Sequence, residues 1–314
     1  MQNNKKTTVS IIVPILNEEN NLPTLYDSIR LQELSADIIL SELIAVDNGS
    51  TDNSVAISRL YCSDVFIRPD DTIADLRNFG AKHSTGDILI FMDADCILCK
   101  DVIQNVVLLL NDKVTTAVGP DGLIPIGNST WVQNTWYLHT KVLSSEIQSI
   151  EVENLSSGFF AIKATNYAMI GGFDGSLTIG EDSDISRKLR DKGFKLIKSN
   201  RLLVYTSGHP KTVKKFIQRE YWHGDSFCHL LIHKRIDLLT IYFIANAVAI
   251  AIAFVVLIYY LSVLLSILIL SILCVVPFIK AVKKDHKIDA GTVRLFIIYF
   301  LYVNSRTAAL FKLR

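Results

Sequence analysis

Apolar and polar positions alternate along the first two-thirds of the chain in short blocks. Val9-Ser10-Ile11-Ile12-Val13-Pro14 is β-branched, apolar and closed by proline, which predicts a strand; the polar stretch Asn17 to Asn21 follows as a loop. Leu22, Leu25 and Ile29 recur at helical spacing and predict a helix over Leu22 to Leu34. A second strand is expected over Glu42 to Val46, a turn over Asp47-Asn48-Gly49-Ser50-Thr51-Asp52, and a helix over Ser54 to Leu60. A short strand Val65-Phe66-Ile67, a helix Ile73 to Lys82 and a strand Ile88 to Met92 complete the first half. Strands alternating with helices predict a parallel, right-handed doubly wound sheet.

The pattern then changes. Strands are expected at Val114 to Val118, Gly158 to Ile162, Lys195 to Ile197 and Leu202 to Tyr205. Long helices are expected over Trp131 to Ile150 and from Glu181 to Lys192, the latter ended by Gly193. Gly171-Gly172-Phe173-Asp174 reads as a tight loop, and Lys211 to His233 as a basic, aromatic helix. From Thr240 to Ile279 no residue is charged, a run of about 40 positions, where one membrane-spanning helix needs about 20. The expectation is a transmembrane hairpin turning near Tyr259 to Ser262, with Leu295 to Val303 as a third apolar helix that spans or lies in the interface. Lys234 and Arg235 before the hairpin, and Lys280, Lys283, Lys284 and Lys287 after it, orient both ends to the cytoplasm. This predicts a multi-pass cell-membrane protein with a cytoplasmic catalytic domain. The expected division is residues 1–210, 211–239 as an interfacial segment against membrane lipids, and 240–314 in the membrane.

Composition narrows the function. A net charge of +1 leaves no nucleic-acid footprint. Five scattered cysteines do not form a disulfide framework, and the Cys96/Cys99 pair lacks the two further ligands of a zinc site. The polar start, Met1 to Thr8, has no apolar segment of the kind a cleaved signal peptide needs.

The chemistry gathers at strand ends. Ile88 to Met92 runs into Asp93-Ala94-Asp95, two acids one residue apart. In open α/β sheets ligands bind beyond the carboxyl ends of strands, and carboxylate oxygens suit hard cations that in turn bind diphosphates. Asn17-Glu18 follows the first strand and Asp47 the second, so three such turns share one sheet edge, with Arg77 on a helix entering it. As a nucleotide pocket, Asp47 accepts from a base N–H, Arg77 balances phosphate charge, Asp93 binds ribose hydroxyls and Asp95 holds the metal. Glu181-Asp182 opens a helix, where the macrodipole favours carboxylates, and Asp182 has the chemistry of a general base.

Val13-Pro14-Ile15-Leu16-Asn17-Glu18, the Asp47 to Asp52 turn, Leu76-Arg77-Asn78-Phe79-Gly80, Gly86-Asp87, Asp93-Ala94-Asp95, Gly171-Gly172-Phe173-Asp174 and Gly180-Glu181-Asp182 stand in the order seen in family 2 glycosyltransferases. Over about residues 8 to 210 the chain resembles that family. The resemblance implies a GT-A fold, a Rossmann-like doubly wound mixed sheet, here followed by C-terminal transmembrane helices. It implies inverting, metal-dependent transfer from a nucleotide-sugar, first of all a UDP-sugar, with Mg²⁺ or Mn²⁺ as cofactor. Pro14, Asn17, Glu18, Asp47, Arg77 and Asp93 would then bind the donor, Asp95 the metal, and Asp182 beside Glu181 would carry catalysis. His209 falls near where some such enzymes place a further metal ligand. Two departures bear on function. Leu16 stands where many members carry an aromatic that stacks on the base, and Gln218-Arg219-Glu220-Tyr221-Trp222 has tyrosine at the arginine position of the processive synthases, which argues for transfer of a single sugar. The expected acceptor is a hydroxyl of a lipid-linked molecule or a saccharide, in cell-surface polysaccharide or glycolipid synthesis. The alternatives are a polyprenyl-phosphate glycosyltransferase, whose acceptor needs no base, and a catalytically silent membrane scaffold.

Overall fold

The computed structural model describes residues 6–112, 114–143, 148–224, 238–260, 274–284 and 290–309. They form two compact units, residues 1–126 with 140–208, and residues 127–139 with 209–314.

The first unit is built on a mixed sheet. In chain order its strands are β1 (Thr7–Ile15), β2 (Ile38–Asp47), β3 (Asp64–Ile67), β4 (Ile88–Met92), β5 (Cys96–Leu98), β6 (Thr115–Pro120), β7 (Ile124–Pro125), β8 (Ser149–Glu151), β9 (Phe159–Lys163), β10 (Lys195–Ser199) and β11 (Val204–Thr206). Eight of them run β3-β2-β1-β4-β9-β6-β10-β8, and β5-β11-β7 form a separate three-stranded sheet. The pairs β1/β2, β1/β4 and β2/β3 are parallel as expected, but β9 is antiparallel to both β4 and β6. The helices of this unit are α1 (Leu22–Arg30), α2 (Ser54–Tyr61), α3 (Ile73–His83), α4 (Val102–Asn111), α6 (Ala164–Ile170) and α7 (Glu181–Asp191), while α5 (Trp131–Thr140, but for its last residue) and α8 (Val213–His223) belong to the second unit.

The strands read as nearly unbroken apolar runs because both faces are covered. Along β1, Val9, Ile11 and Val13 pack with Leu22, Leu25 and Ile29 of α1 and Val102 and Val106 of α4. Ile12, on the opposite face, packs with Phe91, Phe160 and Ile185 and Leu189 of α7. The parallel order places the carboxyl ends of β1, β2 and β4 along one edge, which positions the site.

One helix differs from expectation for an identifiable reason. The helix from Trp131 stops at Thr140 instead of Ile150, because the buried carboxylate of Asp121 captures the backbone N–H groups of Val142 at 2.7 Å and Leu143 at 3.0 Å. Of the expected helix Lys211 to His233, the described part is Val213–His223, with Thr212 Oγ1 accepting from Lys215 N at 3.3 Å as its N-cap; residues 225–237 lie outside the described residues.

The expected membrane helices and multi-pass location are overturned. Among the described residues, no helix is long and apolar enough to cross a membrane. Of the turn expected near Tyr259 to Ser262, Tyr259 and Tyr260 continue the helix Leu238–Tyr260, and residues 261–273 lie outside the described residues. In the described part of the second unit, polar side chains tie helices together. Asn246, on the helix Leu238–Tyr260, donates to Thr307 Oγ1 at 2.8 Å, a buried bond. The expected third apolar segment, Leu295 to Val303, lies within the helix Ala290–Ala309, and just beyond it Arg306 of the same helix is paired at 2.8 Å with the fully buried Glu220 of α8.

Candidate active site

A cleft of about 330 Å³ opens at the carboxyl edge of the first unit, lined among others by Pro14, Leu16, Glu18, Asn48, Asp93 and Asp95. The β1 turn is fastened to the β2 turn. Asn17 adopts φ +55, a left-handed conformation that asparagine tolerates better than most residues. Its Oδ1 accepts from Thr51 N at 2.8 Å, and its own N donates to Ser50 Oγ at 2.9 Å. Asn17 therefore shapes the rim. Glu18 faces the cleft; burial, with the charges of Asp93 and Asp52, raises its pKa above the ordinary value, while Asn21 Nδ2 donates to it at 2.6 Å and opposes the rise.

Asp47 is 1% exposed, and its two oxygens do different things. Oδ1 closes an Asx-type turn, accepting from Gly49 N at 2.9 Å and Ser50 N at 2.8 Å. Oδ2 is shielded and has no hydrogen-bond partner among the described residues. A buried acceptor left unsatisfied costs about 1–3 kcal/mol, so a ligand N–H there would recover free energy. Its neighbour Asn48, which the sequence did not single out, repeats the theme: Nδ2 donates to Asp71 O at 3.2 Å, and Oδ1 has no partner among the described residues.

Asp93 and Asp95 leave β4 in different environments. Asp93 Oδ1 accepts from Arg77 Nη2 at 2.9 Å. Burial at the cleft floor, joined by the charges of Asp95 and Glu181, pushes its carboxyl up to about 6 against the pull of Arg77. With 40% of its side-chain surface open to the cleft, water there tempers that rise. Asp95 is raised too, by burial and then by Glu18, while the Thr206 hydroxyl, donating to Oδ2 at 3.1 Å, partly offsets it. Gly208 lies so close to Asp95 Oδ2 that a Cβ there would collide with it. Thr206 and Gly208 carry no signal a sequence reading could have used, since β5 and β11 meet only in the folded chain.

Arg77, expected at the donor phosphates, is 1% exposed and is not among the residues lining the cleft. Its Nη1 donates to Glu181 Oε1 at 2.9 Å, and its Nη2 serves Asp93. Burial disfavours its charge, but the two carboxylates outweigh that and raise its pKa. Glu181 also accepts from Ser157 Oγ at 3.0 Å. Gly180, at φ +88, turns the chain into α7, so Glu181 and Asp182 both stand in its first turn. Asp182 Oδ1 accepts from Ser183 N at 2.7 Å. The structure thus gathers Pro14, Glu18, Asp93 and Asp95 at the cleft, with Asp47 beside it in sequence to Asn48, and joins Arg77 to Asp93 and Glu181. His209 belongs to the second unit, where its backbone O accepts from Gln133 Nε2 at 3.3 Å.

Among the described residues no group of three or more His, Cys, Asp or Glu side chains is arranged to hold a metal ion alone. The donors present still suit one. Asp95 and its neighbours offer hard oxygens whose mutual repulsion a cation would relieve, and Mg²⁺-type sites commonly use one or two carboxylates completed by substrate phosphates.

A profile of glycosyl transferase family 2 matches residues 10–168, more than half of the chain. An uncharacterized glycosyltransferase of Haemophilus influenzae is 30% identical over 212 residues, 65% of this chain and 69% of that protein. The undecaprenyl-phosphate 4-deoxy-4-formamido-L-arabinose transferase of Yersinia pestis is 35% identical over 102 residues, and the chain spans only 28% of its length. Among solved structures, mannosyltransferase PcManGT from Pyrobaculum calidifontis, in complex with GDP-Man and Mn²⁺, is similar at TM-score 0.54 and 20% identity, over 72% of this chain and 64% of that one. That last likeness concerns the fold. With its ordered motifs, its mixed sheet and its acidic cleft, the chain belongs to glycosyl transferase family 2 and is a glycosyltransferase.

Proposed function

We propose that this enzyme transfers a single sugar, with inversion, from a nucleoside-diphosphate sugar to a hydroxyl of a lipid-linked or saccharide acceptor. The observation that carries the proposal is the convergence of Glu18, Asp93 and Asp95 on one cleft, where Arg77, the cation reaching Asp93, is already shared with Glu181. Such a cleft favours a ligand that brings positive charge and hydroxyls.

In this reading Asp47 Oδ2 accepts a base N–H and Asp93 accepts from ribose hydroxyls. Asp95 would hold a divalent cation, Mg²⁺ or Mn²⁺, together with the donor diphosphate; when bound, that ion neutralises charge on the leaving group. PcManGT, a structural neighbour, is described with GDP-Man and Mn²⁺, which supports the cation and the donor class. Asp182 takes the proton of the acceptor hydroxyl as its oxygen bonds to the anomeric carbon. The bond to the diphosphate breaks on the opposite face, and the configuration inverts.

A second reading, transfer to a polyprenyl phosphate, is favoured by the likeness to the Yersinia pestis transferase. Its acceptor is already an anion and has no use for a base. One experiment separates the two. The purified protein is assayed for nucleoside-diphosphate release across UDP- and GDP-sugars with Mn²⁺ or Mg²⁺, against octyl glycosides and against polyprenyl phosphate. Asp182→Asn should cut kcat about two to four orders of magnitude for a hydroxyl acceptor, the usual worth of a general base. Unchanged turnover in that variant would return the chain to the phosphate-acceptor reading. No release with any donor would end both.

A further inference from the structure

The donor acids and the base helix come from distant parts of the chain, yet one guanidinium joins them. Arg77 on α3 reaches Asp93, beyond β4, at 2.9 Å and Glu181, at the start of α7, at 2.9 Å. The segment leading into β9 closes the group: Ser157 O accepts from Arg77 Nη2 at 3.5 Å, and Ser157 Oγ donates to the same Glu181 oxygen at 3.0 Å. The Phe173 ring, in the Gly171 to Asp174 loop, lies 5.4 Å from the guanidinium carbon. Arg77 Nε has no partner among the described residues; both end nitrogens are committed to carboxylates, and the leftover donor carries the cost of that orientation. A side chain that binds donor phosphate would face the cleft. This one is buried behind it.

Resting on the glycosyl-transfer reading, we propose that Arg77 is a positioning residue that locks the first turn of α7, and with it Asp182, to the donor-side acid Asp93. Its planar fork satisfies two carboxylates in fixed directions, which an ammonium cannot reproduce. Small misplacement of a catalytic group costs about 100-fold in rate.

The test compares wild type with Arg77→Lys, Arg77→Gln, Glu181→Gln and the double variant Arg77→Gln/Glu181→Gln, all as the full chain with thermal melts as a check on folding. Calorimetry with GDP or UDP and Mn²⁺ reads donor binding; transfer to octyl glycosides reads turnover. The expected result is donor affinity within about threefold of wild type for Arg77→Lys, with kcat down about 100-fold. Losses in the double variant should be no greater than in Arg77→Gln alone, because the two residues act as a unit. Parallel loss of nucleotide affinity and kcat, or wild-type kcat in Arg77→Lys, or additive losses in the double variant, would overturn the proposal. If Arg77→Lys does not fold, the cycle built on Glu181→Gln, which keeps the buried guanidinium, decides: full kcat there overturns it as well. Wild-type protein that neither binds a nucleoside diphosphate nor transfers a sugar would sink the functional reading itself, a distinct outcome.

Discussion

Asp93 and Asp95 are the same residue type two positions apart, and their surroundings give them different work. Asp93 has a protein cation beside it. Asp95 has a neutral hydroxyl, from Thr206, and a nearby acid, Glu18. The less compensated carboxylate is the better place for an added cation. Asp95→Ala should therefore abolish the stimulation of turnover by Mn²⁺ while leaving the melting temperature within a few degrees, since removing one of several crowded carboxylates relieves repulsion. Turnover of Asp95→Ala that still responds to Mn²⁺ would remove Asp95 from the metal site. At Asp47 one oxygen builds the turn while the other has no hydrogen-bond partner among the described residues, which leaves it able to accept the base N–H proposed above.

At the level of elements, α3 serves the site with consecutive residues. Arg77 clamps the acids, and Asn78 clamps the loop before α7. Asn78 Nδ2 donates to Phe173 O at 2.9 Å, while its Oδ1 accepts from Phe173 N at 3.0 Å and Tyr167 OH at 2.6 Å. Gly172, at φ +71, passes so near that a Cβ would strike Asn78 Oδ1. Asn78→Ala removes three hydrogen bonds worth about 1 kcal/mol each, so urea unfolding should show a loss of about 2–4 kcal/mol; a change below about 0.5 kcal/mol would mean the loop is held by packing alone. Such links mark the limit of what sequence can disclose. β1, β2 and β4 were legible because burial on both faces forces apolar runs, and the acids at their ends followed from topology. Helix α4 was missed although Val102, Ile103, Val106, Val107 and Leu110 repeat at helical spacing and are all buried. The strand expected at Leu202 to Tyr205 appears as β11, but its pairing with the short β5 and β7, and the bond from Arg77 to Glu181 across 104 positions, have no local signature.

For the whole molecule, pH bears on the second unit through His139. Its ring packs against Trp136 at 4.8 Å and Tyr299 at 4.7 Å. Burial first, then the charges of Lys284, Lys280 and Arg306, push its pKa down to about 4 from an ordinary 6.5, with Glu220 partly opposing. The folded form thus prefers the neutral ring, so its contribution to stability is complete above about pH 6.5 and is lost as pH falls toward 4. The melting temperature of the full chain should decline across that window, and His139→Phe should flatten the decline. An identical slope in the variant would place the acid sensitivity elsewhere.

The bond from Thr206 to Asp95 spans 111 positions, and it has a consequence for the order in which the enzyme comes into being. A ribosome delivers the amino end first, so β1, β2 and β4, with both acids at their edge, can pair long before β11 exists. Until the strand Val204–Thr206 has been synthesised and has added itself to β5, Asp95 lacks its hydroxyl donor and the backbone of Gly208 that fits against it. The site is therefore finished by nearly the last residues of the first unit, and a nascent chain carries the acids of the cleft well before it carries the parts that hold Asp95 in place.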